Sequence, residues 1–229
     1  GLVPRGVHSD CDLVLTGYLG SIGVGQVALR TVAQLRDAKV TVLYCCDPVI
    51  GDRDGGVYVA DGLTAFFRDV ALPAANILTP NQFELELLAG CSTGALDGAP
   101  LADTVAAARV LLERIQPGGC VLVTSVVVQG AGVDHTAMVA VDARDAWIVE
   151  APRFVFTLPP HGAGDLVAAL FAARYAQSGL VSDALEDCAA RLHAVFAETA
   201  KRDSAELEII AARAMITSPM MRFEVRPLN

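Results

Sequence analysis

Short apolar runs alternate with longer stretches of helical periodicity along most of this chain. The short runs predict buried strands at 12–16, 40–46, 76–78 and 120–123. The run at 40–46 is rich in β-branched residues and continuous, as is typical of a parallel strand that is covered on both faces. Apolar residues at helical spacing predict helices at 24–35, 63–70, 81–89, 101–115, 166–177, 181–201 and 205–214.

Two further runs, 136–141 and 146–149, flank the turn-forming residues 142–145 and predict a β-hairpin. Strands that alternate with helices, together with one hairpin, predict an α/β fold with three layers, in which a mostly parallel sheet lies between helices. We assign residues 11–229 to one domain. Residues 1–10 are assigned to a linker or loop, because the first six resemble a protease-cleavable expression linker.

Composition narrows the class of function. The chain has 229 residues, of which 53% are hydrophobic, so it can fill a sizeable core. Its net charge of −9 argues against a nucleic-acid surface, which needs clustered Lys and Arg. No apolar run reaches the ~18 residues that a membrane span needs. The six cysteines form no Cys-x-x-Cys pair, which favours a reducing, cytoplasmic setting.

Polar residues and glycines follow every predicted parallel strand. In a parallel α/β sheet, ligands bind beyond the carboxyl ends of the strands, so these residues are candidates for one site. The candidate segments are 16–21, 47–52, 79–84, Thr124 with Ser125, and the loop 162–165 ahead of the closing helices.

The loop Gly162-Ala163-Gly164-Asp165 is the most informative of these segments. Two glycines bracket a small residue, a carboxylate follows, and an apolar helical run begins directly after it. Backbone amides at a helix N-terminus attract a phosphate, and Asp165 could accept a proton from an attacking hydroxyl. The loop therefore indicates phosphoryl transfer, although Gly-x-Gly before a helix is also an ordinary tight turn.

Three further carboxylates each have a structural alternative. Asp47 and Asp52 flank Pro48 and Gly51, so they could approach one ion, or serve as turn and capping residues. Asn81 and Glu84 share one helical face, where they could serve a metal site or simply form a capping box. Sparse carboxylates of this kind suit a magnesium ion that is held largely through water and phosphate oxygens.

Two kinds of ring side chain are also considered. Tyr18 could stack on a flat ring or simply pack against the core. His135, His161 and His193 lack partners at metal-ligand spacing, and we interpret them as structural or surface residues.

Taken together, these segments resemble the ribokinase-like superfamily and, within it, the pyridoxal kinases. The likeness runs through Thr16-Gly17-Tyr18-Leu19-Gly20-Ser21, Asp47-Pro48-Val49-Ile50-Gly51-Asp52 with Gly56-Val57-Tyr58-Val59, Thr79-Pro80-Asn81-Gln82-Phe83-Glu84, Thr124-Ser125 and Gly162-Ala163-Gly164-Asp165. The resemblance implies a ribokinase-like fold and ATP-dependent phosphorylation of the 5′-hydroxymethyl group of pyridoxal, pyridoxine or pyridoxamine.

The resemblance also implies roles for particular residues. Asp165 would be the catalytic base beside the substrate, with the amides of Gly162, Ala163 and Gly164 as an anion hole. Asp47, Asp52 and Glu84 would surround magnesium, and Tyr18 would stand near the pyridine ring. The residues implied on the nucleotide side are Asp47, Thr79, Asn81, Glu84, Thr124 and Ser125. The cofactors implied are ATP and Mg²⁺, with K⁺ or Na⁺ as an assisting cation, and family members are commonly homodimers.

One departure from the family pattern concerns the N-terminus. The family normally has a further stretch before Cys11, which includes the first strand, part of the vitamin pocket and a flap. We therefore expect 11–229 to be an N-terminally truncated kinase domain with an open sheet edge. Two alternatives remain: a hydroxymethylpyrimidine kinase of the same fold, and a non-catalytic nucleotide-binding relative.

Overall fold

The computed structural model describes residues 10–128 and 135–228, so the predicted linker at 1–10 lies outside these residues except for Asp10. The strands are β1 (Leu13–Thr16), β2 (Leu43–Cys46), β3 (Gly51–Asp52), β4 (Gly56–Val57), β5 (Ile77–Leu78), β6 (Cys120–Val126), β7 (His135–Val141), β8 (Ala146–Pro152) and β9 (Val225–Pro227). The helices are α1 (Ile22–Ala38), α2 (Leu63–Phe66), α3 (Gln82–Ala89), α4 (Leu101–Leu112), α5 (Ala163–Ser178), α6 (Val181–Arg202) and α7 (Ile209–Thr217).

The main sheet has seven strands in the order β1-β2-β5-β6-β7-β8-β9. The first four are parallel and the last three are antiparallel additions, so the mostly parallel sheet is confirmed. The predicted hairpin is confirmed as β7 and β8, which pair from His135 opposite Pro152 to Val141 opposite Ala146. Strand β9 was not predicted, because three residues that end in proline carry no readable alternation.

Two hydrophobic cores lie on opposite faces of this sheet. Because neighbouring residues of a strand point to opposite faces, Cys46 and Leu78 join the core under α1 to α4, whereas Cys45 and Ile77 join the core under α5 and α6. The predicted three-layer α/β architecture is therefore confirmed. None of the helices in residues 10–128 and 135–228 is long and apolar enough to cross a membrane.

Some predicted boundaries differ from the structure. Strand β2 begins at Leu43 rather than Val40, which is 85% exposed, because a turn with a Val42 to Lys39 hydrogen bond precedes it. The helix predicted at 63–70 is α2 followed by a π-helical turn at Phe67–Ala71 and a 3₁₀ turn at Leu72–Ala74.

The last predicted helix, 205–214, begins instead at Ile209. Asp203 ends α6 in the left-handed conformation, with φ of 45°. The Ser204 hydroxyl then accepts a hydrogen bond from the Glu206 amide, which is the local bonding that competes with a helix. Glu206 instead forms a parallel bridge with His161, so this segment supports the chain just ahead of α5.

Candidate active site

The N-terminus of α5 presents free backbone amides at the carboxyl edge of the sheet. Gly162 is the N-cap in the left-handed conformation (φ 83°), which glycine adopts at little cost. Leu166 is the first residue whose amide bonds back, to the Gly162 carbonyl at 3.0 Å, so the earlier amides of this 16-residue helix have no intrahelical partner. The space around Gly164 is open, with nothing within 4 Å of a β-carbon built there. This is the geometry of an anion site.

Asp165 lies in the first turn of α5 and is exposed. A β-carbon built on Gly17, just after β1, would lie 3.1 Å from its Oδ1 atom. The absence of a side chain at Gly17 therefore makes room for the carboxylate. The predicted base thus stands at the carboxyl end of β1, where the predicted site should lie.

Asp47 follows β2 and lies close to Asp165. Its amide bonds the Thr16 carbonyl at 2.8 Å, and its Oδ1 accepts a 2.8 Å hydrogen bond from the Thr79 hydroxyl. Burial raises the pKa of Asp47 to about 6; the Thr79 hydrogen bond opposes that rise, and the negative charge of Asp165 adds to it. The structure therefore brings Asp47, Thr79 and Asp165 together, as the sequence predicted.

Asn81 and Glu84 form the capping box at the start of α3. The Asn81 side chain accepts from the Glu84 amide, and Glu84 Oε2 accepts from the Asn81 amide, both at 2.9 Å. The structural alternative considered for this pair is thus correct. Glu84 also has a second structural role, because its Oε1 atom accepts hydrogen bonds from the amides of Ile50 at 2.7 Å and Gly51 at 3.3 Å.

Glu84 is buried, and this burial raises its pKa to about 8, against the lowering effect of the three amide hydrogen bonds. The nearby charge of Asp47 raises the pKa further. Since Oε1 already accepts two hydrogen bonds and Oε2 accepts one, only Oε2 keeps a free lone pair. A cation beside Asp47 and Glu84 would favour the ionised form of both.

Asp52 has a structural role as well. Its Oδ1 accepts the Gly55 amide at 2.5 Å, which closes the turn between β3 and β4. Within the described residues, no group of three His, Cys, Asp or Glu side chains is arranged to hold a metal ion. Asp47, Asp52 and Glu84 therefore do not form a ready-made ligand cage.

Thr124 and Ser125 end the parallel part of the sheet at β6. The Thr124 amide bonds the Pro80 carbonyl at 2.9 Å, and Thr124 forms a parallel bridge with Asn81. Ser125 has φ of 54° at an irregularity in the pairing of β6 with β7. Both residues line a cavity of about 130 Å³ that reaches Gly164. Of the six nucleotide-side residues predicted from the sequence, Thr124 and Ser125 thus share this cavity with the α5 loop, whereas Asp47, Thr79, Asn81 and Glu84 are not among the residues that line it.

Three features of the site were missed or left open by sequence reasoning. The pKa of Tyr58 is raised by burial and then by the charge of four nearby carboxylates: Glu84, Asp52, Asp47 and Asp165. Its position directly after β4, two residues beyond Gly56, gave no signal of this proximity. His193, interpreted as structural or surface, lines the cavity and packs against Phe154 with ring centroids 5.0 Å apart. Tyr18 is 61% exposed, and its predicted role stays a prediction.

Known proteins resemble this chain over most of its length. A family model described as phosphomethylpyrimidine kinase matches residues 7–207. The pyridoxal kinase PdxY of Rubrobacter xylanophilus is 40% identical over 227 residues, which cover 99% of this chain and 75% of that protein. This chain belongs to the pyridoxal kinase family.

Further similarities agree with the assignment. The pyridoxal kinase PdxY of Granulibacter bethesdensis is 41% identical, with 97% of this chain and 76% of that protein covered. Among solved structures, the pyridoxal kinase of Leishmania donovani in complex with ADP and pyridoxamine matches with a TM-score of 0.83 at 23% identity, covering 100% of this chain and 80% of that chain. That likeness supports the ribokinase-like fold predicted for this pyridoxal kinase family member.

Proposed function

We propose that this protein transfers the γ-phosphoryl group of ATP to the 5′-hydroxymethyl group of pyridoxal, pyridoxine or pyridoxamine. The observation that carries the proposal is the position of Asp165, which lies at the N-terminus of α5 and beside Gly17 and Asp47. A proton acceptor, free helix amides and buried carboxylates then surround one point. The names of the relatives supply the substrate class.

The residues present fit a nucleotide with a divalent cation. Asp47 and Glu84 are buried carboxylates with raised pKa values, so a positive ion between them and the phosphates would offset their charge. Magnesium would neutralise charge on the phosphate oxygens and help to orient them. Asp52 would act nearby through its charge. The cavity that Thr124, Ser125 and Gly164 line would accommodate part of the nucleotide, with Asn81 beside it through its bridge to Thr124 and with Thr79 contributing from beside Asp47.

In this mechanism the chain itself contributes position and electrostatics. Asp165 accepts the proton of the vitamer hydroxyl as that oxygen attacks. The amides at Gly162, Ala163 and Gly164, with the dipole of α5, stabilise negative charge on the transferred group. Tyr18, exposed beside Gly17, contacts the pyridine ring. Phosphoryl transfer needs little beyond such positioning.

The decisive experiment is an ADP-release assay with each B6 vitamer and with hydroxymethylpyrimidine as the acceptor. Turnover of a vitamer, confirmed by mass spectrometry of the phosphate ester, is the expected result. Hydroxymethylpyrimidine is the second candidate acceptor, because the matching family model is described as a phosphomethylpyrimidine kinase. Turnover of that alcohol alone would replace the proposed substrate, and ADP binding without turnover of either would indicate the non-catalytic alternative.

Several finer features accompany this proposal. The six cysteines, all within the described residues, are free thiols, which supports a reducing cytoplasmic location. Exposed Ile22, Val24 and Val27 on α1 support a homodimer, which light scattering would test.

We also propose that K⁺ or Na⁺ assists the reaction. This dependence is tested by replacing either salt with choline chloride in the ADP-release assay. We propose that residues 11–229 form the kinase domain.

A further inference from the structure

A short ribbon made of β3 and β4 adjoins Glu84, one of the buried carboxylates of the candidate site. Its base is held by Glu84, which accepts the amides of Ile50 and Gly51. The Asn81 side chain also donates to the Gly51 carbonyl at 2.8 Å. Both contacts come from the first turn of α3, so that turn supports one end of the ribbon.

The tip of the ribbon is held by Arg53, between β3 and β4. Its Nη1 atom donates to Glu86 Oε2 at 2.9 Å, and its Nη2 atom donates to Asp97 Oδ1 at 2.8 Å. The guanidinium also lies over the Phe83 ring, 5.5 Å from the centroid. One planar cation thus joins the ribbon to α3 and to the loop that follows α3.

Glu86 is the fixed partner in this arrangement. Its side chain is fully buried, whereas that of Arg53 is 34% exposed. Glu86 also accepts the amides of Gly94 at 2.8 Å and Leu96 at 2.9 Å. Burial opposes its ionisation, but the hydrogen bond from Arg53 and the two amides outweigh burial and lower the pKa of Glu86. A carboxylate bonded on both oxygens cannot move without breaking several hydrogen bonds.

The ribbon leads directly to groups at the site. Asp52 belongs to β3, and Tyr58 follows β4 with its amide bonded to the Ile50 carbonyl at 3.1 Å. The charges that raise the pKa of Tyr58 include those of Glu84, Asp47 and Asp165. Any shift of the ribbon therefore moves Tyr58 and Asp52 relative to the carboxylates on which the proposed cation depends.

We propose that Arg53 is a positioning residue: its ion pair with Glu86 locks the β3–β4 ribbon so that Asp52 and Tyr58 face the magnesium–phosphate region. The proposal rests on the proposed function for the identity of that region. The contacts of Arg53 with Glu86 and Asp97 do not depend on the proposed function. Arg53 touches none of the reacting groups and acts through the ribbon.

The first test is hydrogen exchange of the ligand-free protein, followed by mass spectrometry of the peptide 50–58. Arg53→Met is expected to speed exchange of this peptide roughly tenfold, because the tip of the ribbon loses its contacts with Glu86 and Asp97 and the hydrogen bonds at its base then open more often. Arg53→Lys keeps the charge but only one partner, so an intermediate rate is expected. Arg68→Met is the matched control, since Arg68 pairs with Asp69 away from the ribbon. If the peptide exchanges at the same rate in Arg53→Met and in the unsubstituted protein, the ion pair of Arg53 does not hold the ribbon.

The second test is calorimetric binding of ADP with and without Mg²⁺. Arg53→Met is expected to weaken Mg²⁺-dependent ADP binding roughly tenfold, the scale typical of groups that orient metal-site residues, with metal-free binding changed much less. Equal loss in both conditions, or no loss, would overturn the positioning role. If the unsubstituted protein binds ADP but phosphorylates no acceptor, the proposed function fails, and hydrogen exchange and ADP binding still test the role of Arg53. If the unsubstituted protein binds no ADP, hydrogen exchange alone tests whether Arg53 holds the ribbon.

Discussion

Gly17 lies so close to Asp165 that a β-carbon at Gly17 would be 3.1 Å from the Oδ1 atom of Asp165. Gly17 directly follows β1, whereas Asp165 lies in the first turn of α5, nearly 150 residues later. The position of the proposed base therefore depends on a residue that contributes no side chain at all.

Gly17→Ala is expected to displace the Asp165 carboxylate and lower kcat by about tenfold or more, because small misplacements of a reacting group are costly. Folding stability should change little, since the added methyl meets an exposed side chain that can rotate. Steady-state kinetics and thermal unfolding measure the two effects. Gly20→Ala is the matched control, because nothing lies within 4 Å of a β-carbon at Gly20. Equal rates for the two variants would show that Gly17 makes no room for the base.

Asp165→Asn is expected to lower kcat by at least ~10²-fold, the scale of general-base catalysis, and to leave ADP affinity largely unchanged. The amide is nearly isosteric with the carboxylate but cannot accept the hydroxyl proton. Single-turnover rates and calorimetry separate these effects. Asp103→Asn, in the exposed first turn of α4, serves as the control. Unchanged turnover in Asp165→Asn would remove Asp165 from the mechanism.

Gly164→Ala is expected not to lower the melting temperature, because the added β-carbon meets nothing within 4 Å and alanine is a better helix former than glycine. The methyl group would instead fill open space beside the free amides of α5, where a phosphate must approach the backbone closely. We expect ADP affinity to fall about tenfold, as measured by calorimetry. Undiminished affinity would mean that the phosphates do not approach this position.

The metal-free protein is expected to lose stability as the pH rises from acid to mildly alkaline values. The pKa of Glu84 is raised from 4.5 to about 8 by burial, so the folded state holds this proton more tightly than the unfolded state. Stability that is fully present below the unfolded pKa is therefore lost as the pH rises through about 8. The loss from this one group is on the order of a few kcal/mol. Asp47, with a pKa raised to about 6, adds to the loss at lower pH.

Urea unfolding in EDTA, at several pH values between these limits, measures this effect. Glu84→Gln is expected to flatten the fall, because its side chain does not ionise. Glu113→Gln, at an exposed position at the end of α4, is the control and should follow the unsubstituted profile. Parallel profiles for Glu84→Gln and the unsubstituted protein would contradict the raised pKa.

Local patterns predicted much of the fold and some of the site. The strand-like runs 136–141 and 146–149 on either side of the turn residues 142–145 predicted the hairpin, and the three-residue spacing of Asn81 and Glu84 offered a capping box as one of two alternatives. Polar residues after each strand predicted a shared site, because parallel strands end at the same edge of a sheet. Where a local pattern was weak, as at 205–208, a helix was predicted where Ser204 bonds the backbone instead.

The sequence by itself therefore determined the order of the longer strands and helices and the chemistry that stands at each parallel strand end, since both depend on near neighbours in the chain. Only the tertiary structure decided that Gly17 adjoins Asp165, that Asp47 and Glu84 are buried, and that Arg53 reaches Glu86. These relationships join residues far apart in the chain. They depend on strand register and on packing between layers, which no local spacing encodes.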